Sequence, residues 1–135
     1  MENYYLTIDI RENKLIELFN SLSKPITKFK VQTKSLELGD IVISKTTDNI
    51  YDKDNLILVF ERKTMEDLLS SINDGRWREQ KTRLLANISK EKVCYLIENQ
   101  IDNRLNKWKK HGTSLVRGAL INKCFRDKLN VIRTD

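Results

Sequence analysis

Proline and glycine are scarce in this chain. One proline, Pro25, and four glycines among 135 residues leave no stretch that reads as a linker. A chain of this length without a linker is expected to form one domain around a single core. Histidine is scarcer still: a Ser-His-Asp or Cys-His mechanism would have to run through His111 alone, and Lys109, Lys110 and Gly112 around it read as an exposed loop. Cys94 and Cys124 stand far apart without a C-x-x-C partner. That spacing argues against a zinc site or a disulfide framework and for buried reduced thiols. No apolar run approaches the ~20 residues that span a bilayer, and Met1-Glu2-Asn3 lacks the basic start of a signal peptide. A soluble, intracellular protein with no membrane partner is the expectation.

What is present is charge, unevenly divided. Residues 1–75 carry ten Lys/Arg against thirteen Asp/Glu, a net of −3, whereas residues 76–128 carry fourteen against five, a net of +9. The first part has the composition to hold a cation and the second to hold phosphates. A basic surface that neutralises DNA phosphates releases counterions, so its binding should weaken steeply with salt. A merely solvated basic face explains the same composition.

Carboxylates fall at revealing places. Asp40 opens the apolar run Ile41-Val42-Ile43, and Glu61 and Lys63 close a second, Leu56-Ile57-Leu58-Val59-Phe60. Such runs read as strands buried on both faces, so charged groups stand at the tips of interior strands. Ions removed from water are costly unless paired, metal-bound or functional. Alternation along a strand puts Glu61 and Lys63 on one face and turns Arg62 away. Two carboxylates within ~5 Å repel by ~3 kcal/mol at an effective dielectric of about 20, and a hard dication reverses the sign. Magnesium, with manganese as a substitute, suits such donors. Lys63 beside it would orient or help deprotonate a water, or neutralise a phosphate.

The longer pattern is more specific than Asp with Glu-x-Lys. Ile8-Asp9-Ile10-Arg11-Glu12, Gly39-Asp40, Val59-Phe60-Glu61-Arg62-Lys63-Thr64-Met65-Glu66-Asp67, Ser71-Ile72-Asn73-Asp74-Gly75-Arg76, Arg78-Glu79-Gln80-Lys81 with Arg83-Leu84, and the closing Val131-Ile132-Arg133-Thr134-Asp135 together resemble the nuclease domain of XPF-type structure-specific endonucleases. The likeness is best to the branch that cuts crossover and flap junctions. Only Thr46 to Asn55 and Gln100 to Gly112 lack a counterpart. The resemblance implies an α/β fold of restriction-endonuclease type, a single domain whose mixed β-sheet is flanked by helices. It also implies a magnesium-dependent endodeoxyribonuclease acting on flaps, forks and nicked junctions in repair or recombination, in the nucleus or wherever DNA is replicated and repaired. Asp40, Glu61, Arg62, Lys63 and Asp67 would form the catalytic group. Asp9, Glu12, Asp40, Glu61 and the carbonyl of Arg62 would serve one or two metal ions, and Arg11, Arg76, Gln80, Lys81 and Arg83 would hold the DNA. Residues 1–135 are expected to make the nuclease domain without the tandem helix-hairpin-helix module that usually follows it in the family. The rival is a non-catalytic subunit for DNA binding and dimerisation. Such partners tend to have lost the Asp and Glu-Arg-Lys groups, all of which stand here.

Helical spacing adds detail. Lys14 to Leu22 reads as a helix with Leu15, Leu18, Phe19 and Leu22 on its apolar side. Ile26 to Leu36 alternates as a half-exposed strand, and Thr47 to Asp54 reads as a hairpin loop. Thr64 with Asp67 marks a helix start, followed by a stripe of Met65, Leu68, Leu69 and Ile72. A second helix runs from Arg76 to Asn87, with Trp77, Leu84 and Ile88 inward, Gln80 and Lys81 at the edge, and Arg78 and Glu79 further out. Val93 to Glu98 is another buried strand. Apolar residues spread around most of a helix from Thr113 to Lys128, Leu115, Val116, Leu120, Ile121 and Phe125 among them. That spread predicts one face on the sheet and another on a partner, an identical chain or a related subunit, as the resemblance also implies, with these five residues expected at the dimer interface. A helix clamped between the sheet and the Ile101-Leu105-Trp108 segment is the alternative.

Overall fold

The computed structural model describes residues 4–22, 28–98, 112–121 and 129–134. Its elements are β1 (Tyr4–Asp9), α1 (Asn13–Asn20), β2 (Phe29–Lys34), β3 (Ile41–Ser44), β4 (Leu56–Thr64), α2 (Met65–Asn73), α3 (Arg76–Asn87), β5 (Val93–Glu98), α4 (Gly112–Ile121) and β6 (Asn130–Thr134). The strands make a mixed six-stranded sheet, and the chain divides into two compact units, residues 1–61 and 62–135, with the boundary falling inside β4.

In the first unit the strands lie in the order β2-β1-β3-β4. β2 runs parallel to β1, while β1 with β3 and β3 with β4 are antiparallel. Leu6, Ile8 and Ile41 form a buried cluster against which Leu15, Ile16 and Phe19 of α1 pack, together with Phe29, Ile43 and Phe60. The helix stripe therefore departs from expectation. Leu18 is 59% and Leu22 45% exposed, and Ile16 takes the inward place. α1 ends at Asn20, so helical spacing no longer governs Leu22. β2 is a half-exposed edge strand, but its burial does not follow the expected alternation, since Phe29 and Gln32 are half-buried and Val31 is exposed; Ile26 and Thr27 lie outside the described residues.

The expected burial of β4 on both faces is not what the fold shows, since only Leu56, Val59 and Lys63 of its nine residues are buried. It is also longer than its apolar run, because Lys63 and Thr64 still have strand geometry. Thr64 then caps α2 as its spacing with Asp67 predicts, its hydroxyl accepting the Asp67 N–H at 3.1 Å.

In the second unit α2 packs against α3 and α4, and β5 pairs in parallel with β6. Met65, Leu68 and Leu69 of α2 and Leu84 of α3 are buried. Gln80 and Lys81 lie half-buried at the edge of α3, and Arg78 and Glu79 face solvent, as helical geometry requires. Cys94 is a buried free thiol, pushed above its ordinary pKa by burial, while Cys124 lies outside the described residues. α4 is described only to Ile121. Its Val116 and Leu120, expected on a dimer surface, are 0% and 8% exposed within the chain itself and are core positions; Leu115 is half-buried. The side chain of Ile121 and all of Phe125, Leu105 and Trp108 fall outside the described residues. Among the described residues no helix is long and apolar enough to cross a membrane.

Candidate active site

Strand register lines up three acidic positions in the first unit. Ile8 faces Ile41 and Ile41 faces Phe60, so the next positions along the three neighbouring strands are Asp9, Asp40 and Glu61. The backbone continues the ladder, with the Asp9 N–H donating to the Asp40 carbonyl at 2.9 Å and the Asp40 N–H to the Phe60 carbonyl at 2.8 Å. Gly39 makes the last approach feasible. Its φ is +79°, and a Cβ there would come within 2.4 Å of Val59 Cγ1. Tyr51 holds the same turn, its hydroxyl donating to the Leu38 carbonyl at 2.6 Å and accepting the Leu38 N–H at 3.1 Å.

The acids differ in state. Asp9 is 1% exposed, and its carboxylate accepts three bonds from Arg11: from the backbone N–H at 3.0 Å, from Nε at 3.1 Å and from Nη2 at 2.6 Å. Those side-chain bonds hold Asp9 below the usual carboxylate range against the opposing cost of burial. In return Asp9 keeps the Arg11 guanidinium charged, with Asp40 and Glu12 adding attraction. Arg11 thus lies among carboxylates, while its side chain stays 75% exposed. Asp40, Glu61 and Glu12 are half-buried.

Among the described residues no three His, Cys, Asp or Glu side chains come together closely enough to hold an ion. A preformed cage of four carboxylates is absent there. The donor chemistry of Asp40 and Glu61 nonetheless suits magnesium, which needs only one or two carboxylates and takes its other oxygens from water and phosphate.

The second unit carries the cations. Lys63 is 8% exposed; its Nζ donates to Gln80 Oε1 at 2.6 Å and stands 5.8 Å from the centre of the Trp77 ring. Trp77 in turn meets Tyr95 edge to face at 5.5 Å. Arg62 turns away from its neighbours along β4, as alternation predicts, and grips Glu98 of β5 with Nε on Oε1 and Nη2 2.9 Å from Oε2. Glu98 is not among the residues singled out from the sequence; it follows the apolar run Val93 to Ile97 as Glu61 follows Leu56 to Phe60, and that is the available signal. Asp67 is exposed, and its backbone serves the cap and the Ser71 hydroxyl. Arg76 is tied to Asp74 at 2.8 Å and Ser70 at 3.2 Å, and Arg83 is exposed on α3.

A mixed sheet flanked by helices, with acidic residues at register-adjacent positions of three neighbouring strands and a Glu-Arg-Lys run, defines an α/β domain of the XPF type, and comparison with solved structures agrees. XPF from Aeropyrum pernix has a similar fold, with a TM-score of 0.67 at 22% identity over 96% of this chain and 56% of that one. Its complex with DNA matches with a TM-score of 0.64 at 21% identity over the same shares. The ERCC4 domain model matches residues 8–135, and the chain belongs to that family. The chain is 35% identical over 108 residues to a probable crossover junction endonuclease mus81 of Dictyostelium discoideum, covering 78% of this chain and 11% of that protein. It is 32% identical over 141 residues to the crossover junction endonuclease mus-81 of Neurospora crassa, covering 94% and 22% respectively. The chain therefore spans between about a tenth and a quarter of the length of these relatives.

Proposed function

We propose that the chain is the nuclease part of a structure-specific endonuclease, hydrolysing phosphodiester bonds at flaps, forks or nicked junctions of duplex DNA during repair or recombination. The observation that carries this reading is the succession of Asp9, Asp40 and Glu61 along three neighbouring strands in a chain of the ERCC4 family. Asp40 and Glu61 are the residues that would hold magnesium, or manganese in its place, with the Arg62 carbonyl as a further donor and Asp9 and Glu12 supporting a second ion or its waters. A bound ion of that kind supplies charge neutralisation at the phosphate and an activated water. Lys63, two residues beyond Glu61 on the same strand, orients that water or steadies the phosphate, and Asp67 follows in the first turn of α2. Arg62 braces β5 through Glu98, and Arg11, Arg76, Lys81 and Arg83 contact the DNA backbone. Pairing with an identical chain or a related subunit would use surface of α4 other than the buried Val116 and Leu120. The site of action is the nucleus or another place of DNA repair.

One observation favours a second reading, a DNA-binding and pairing subunit without catalysis: Arg11 occupies the carboxylate of Asp9. A single experiment separates the two. Labelled flap, fork, nicked junction and linear duplex are incubated with magnesium, with and without chelator, using wild type and Asp40→Asn. Metal-dependent cleavage of branched substrates by wild type, lost in Asp40→Asn while gel-shift binding and thermal unfolding stay the same, is the expected result. Intact DNA in every wild-type lane together with retained shifts selects the second reading.

A further inference from the structure

Lys63 is an unusual lysine for this molecule. Among the described residues it is the only buried Lys or Arg, and its ammonium meets two side chains from one helix, Gln80 and Trp77, three positions apart on α3. Residues three apart are neighbours on a helix surface, so their side chains can act on one group. Gln80 was expected at the DNA, yet its amide oxygen accepts from Nζ at 2.6 Å. Trp77, which the sequence marks only as part of an apolar stripe, presents its ring 5.8 Å from the same nitrogen, within the range at which a ring quadrupole attracts a cation. The ring is itself steadied by the edge-to-face contact with Tyr95.

We infer that Gln80 and Trp77 are positioning residues, a two-point clamp from α3 that fixes the Lys63 ammonium in one place on β4. The inference deepens the proposed nuclease reading and rests on it for the purpose of the clamp. The physical need is clear from the side chain. A lysine has four rotatable bonds and spreads its charge over many places unless something holds it, and a charge that must meet a phosphate or water works best when its position is set beforehand. A carbonyl oxygen alone fixes distance and leaves the ammonium free to swing about it. A ring face alone attracts without fixing direction. Together they define a point.

The test uses the full chain and two readouts. The first is the labelling rate of Lys63 by an amine-reactive acylating reagent, followed by peptide mass spectrometry, with exposed Lys53 as internal reference. The second is steady-state cleavage of a nicked junction with magnesium, resolved into kcat and KM, with DNA affinity from gel shift. Variants are Gln80→Leu, Gln80→Glu, Trp77→Ala and Trp77→Phe, each checked by thermal unfolding. Wild-type Lys63 should label at least about tenfold more slowly than Lys53, and Gln80→Leu or Trp77→Ala should close most of that gap. Both variants should lower kcat by about tenfold or more with KM and DNA affinity within about twofold, and Gln80→Glu and Trp77→Phe, which keep an acceptor and a ring, should recover most of the loss. Equal labelling of Lys63 and Lys53 in wild type overturns the clamp. So does a fall in DNA affinity at unchanged kcat in Gln80→Leu, which makes Gln80 a strand contact. A wild type that cleaves nothing refutes the nuclease reading by itself, and the labelling rates still decide whether α3 holds the lysine.

Discussion

Arg62 and Glu98 meet side by side across the second unit, Nε on Oε1 and Nη2 2.9 Å from Oε2, so the arginine of the Glu-Arg-Lys run is anchored to the end of β5. Two parallel charge-assisted bonds fix a guanidinium in plane as well as in position. Each side chain is about a quarter exposed, 25% and 24%, so water shields the pair in part. Glu98→Ala should therefore destabilise the protein by roughly 1–3 kcal/mol, read as a fall in the urea midpoint. It should lower cleavage through a loosened β4. Glu98→Gln, which can still accept at one oxygen, should lose less. An Ala variant as stable as wild type would make the pair a surface contact of no weight.

Gly39 offers a sharper test of how the three acidic strand positions are assembled. A Cβ at that residue meets Val59 Cγ1 at 2.4 Å and the Phe60 carbonyl at 3.2 Å, on a backbone already at φ +79°. Gly39→Ala should cost about 2–5 kcal/mol, the left-handed strain adding to an overpacked contact. Because Asp40 follows directly and bonds to Phe60 through its N–H, cleavage should fall further than stability alone predicts. A shift in the denaturant midpoint too small to measure would mean that the turn relaxes freely.

What could be read in the chain and what could not divide along one physical line. Alternation along β4 separates Arg62 from Lys63, Thr64 caps α2, and about 100° per residue sets Gln80 and Lys81 at the edge of α3; each depends on local geometry alone. Asp40 and Glu61 are legible because each borders an apolar run, and Asp9 is legible through the motif it shares with the family. The partner of Arg62 is 36 residues away, and the partners of Lys63 come from a helix with its own, apolar, reason for carrying Trp77. No spacing rule contains those pairings. Asp9 illustrates the converse: its motif neighbour Arg11, two residues on, was in plain view, but which of several cations a carboxylate takes depends on where the chain turns after β1.

Tyr51 links stability to alkaline pH. Burial pushes its hydroxyl above the ordinary tyrosine value, and the hydroxyl bonds to both the carbonyl and the N–H of Leu38. A folded-state pKa raised above the unfolded value means that the contribution is whole below about pH 10 and is lost as pH rises through the folded value. Tyr51→Phe should lower stability by roughly 1–3 kcal/mol near neutrality, since Leu38 is left short of partners. The gap between wild type and variant should then stay constant up to about pH 10 and shrink above it in parallel urea titrations. A constant gap above about pH 10 would show that folding does not raise the pKa of Tyr51.

The basic half of the chain makes its prediction through salt. Arg83 is exposed on α3, away from the apolar side that carries the buried Leu84 and Ile88, so its loss should leave packing untouched. Arg83→Ala should leave the unfolding midpoint unchanged within about 0.5 kcal/mol. If Arg83 neutralises a phosphate, its removal weakens binding to every DNA substrate alike and makes the slope of log K against log salt shallower by about one. Arg76 is already bonded to Asp74 and Ser70 and would have to break an ion pair to reach DNA, so Arg76→Ala should change the slope less. The measurement is a filter-binding titration of one nicked junction at four or more salt concentrations for wild type and both variants. Equal slopes for all three would move the phosphate contacts off this helix, whereas a larger effect at Arg76 would mean that Asp74 releases it on binding.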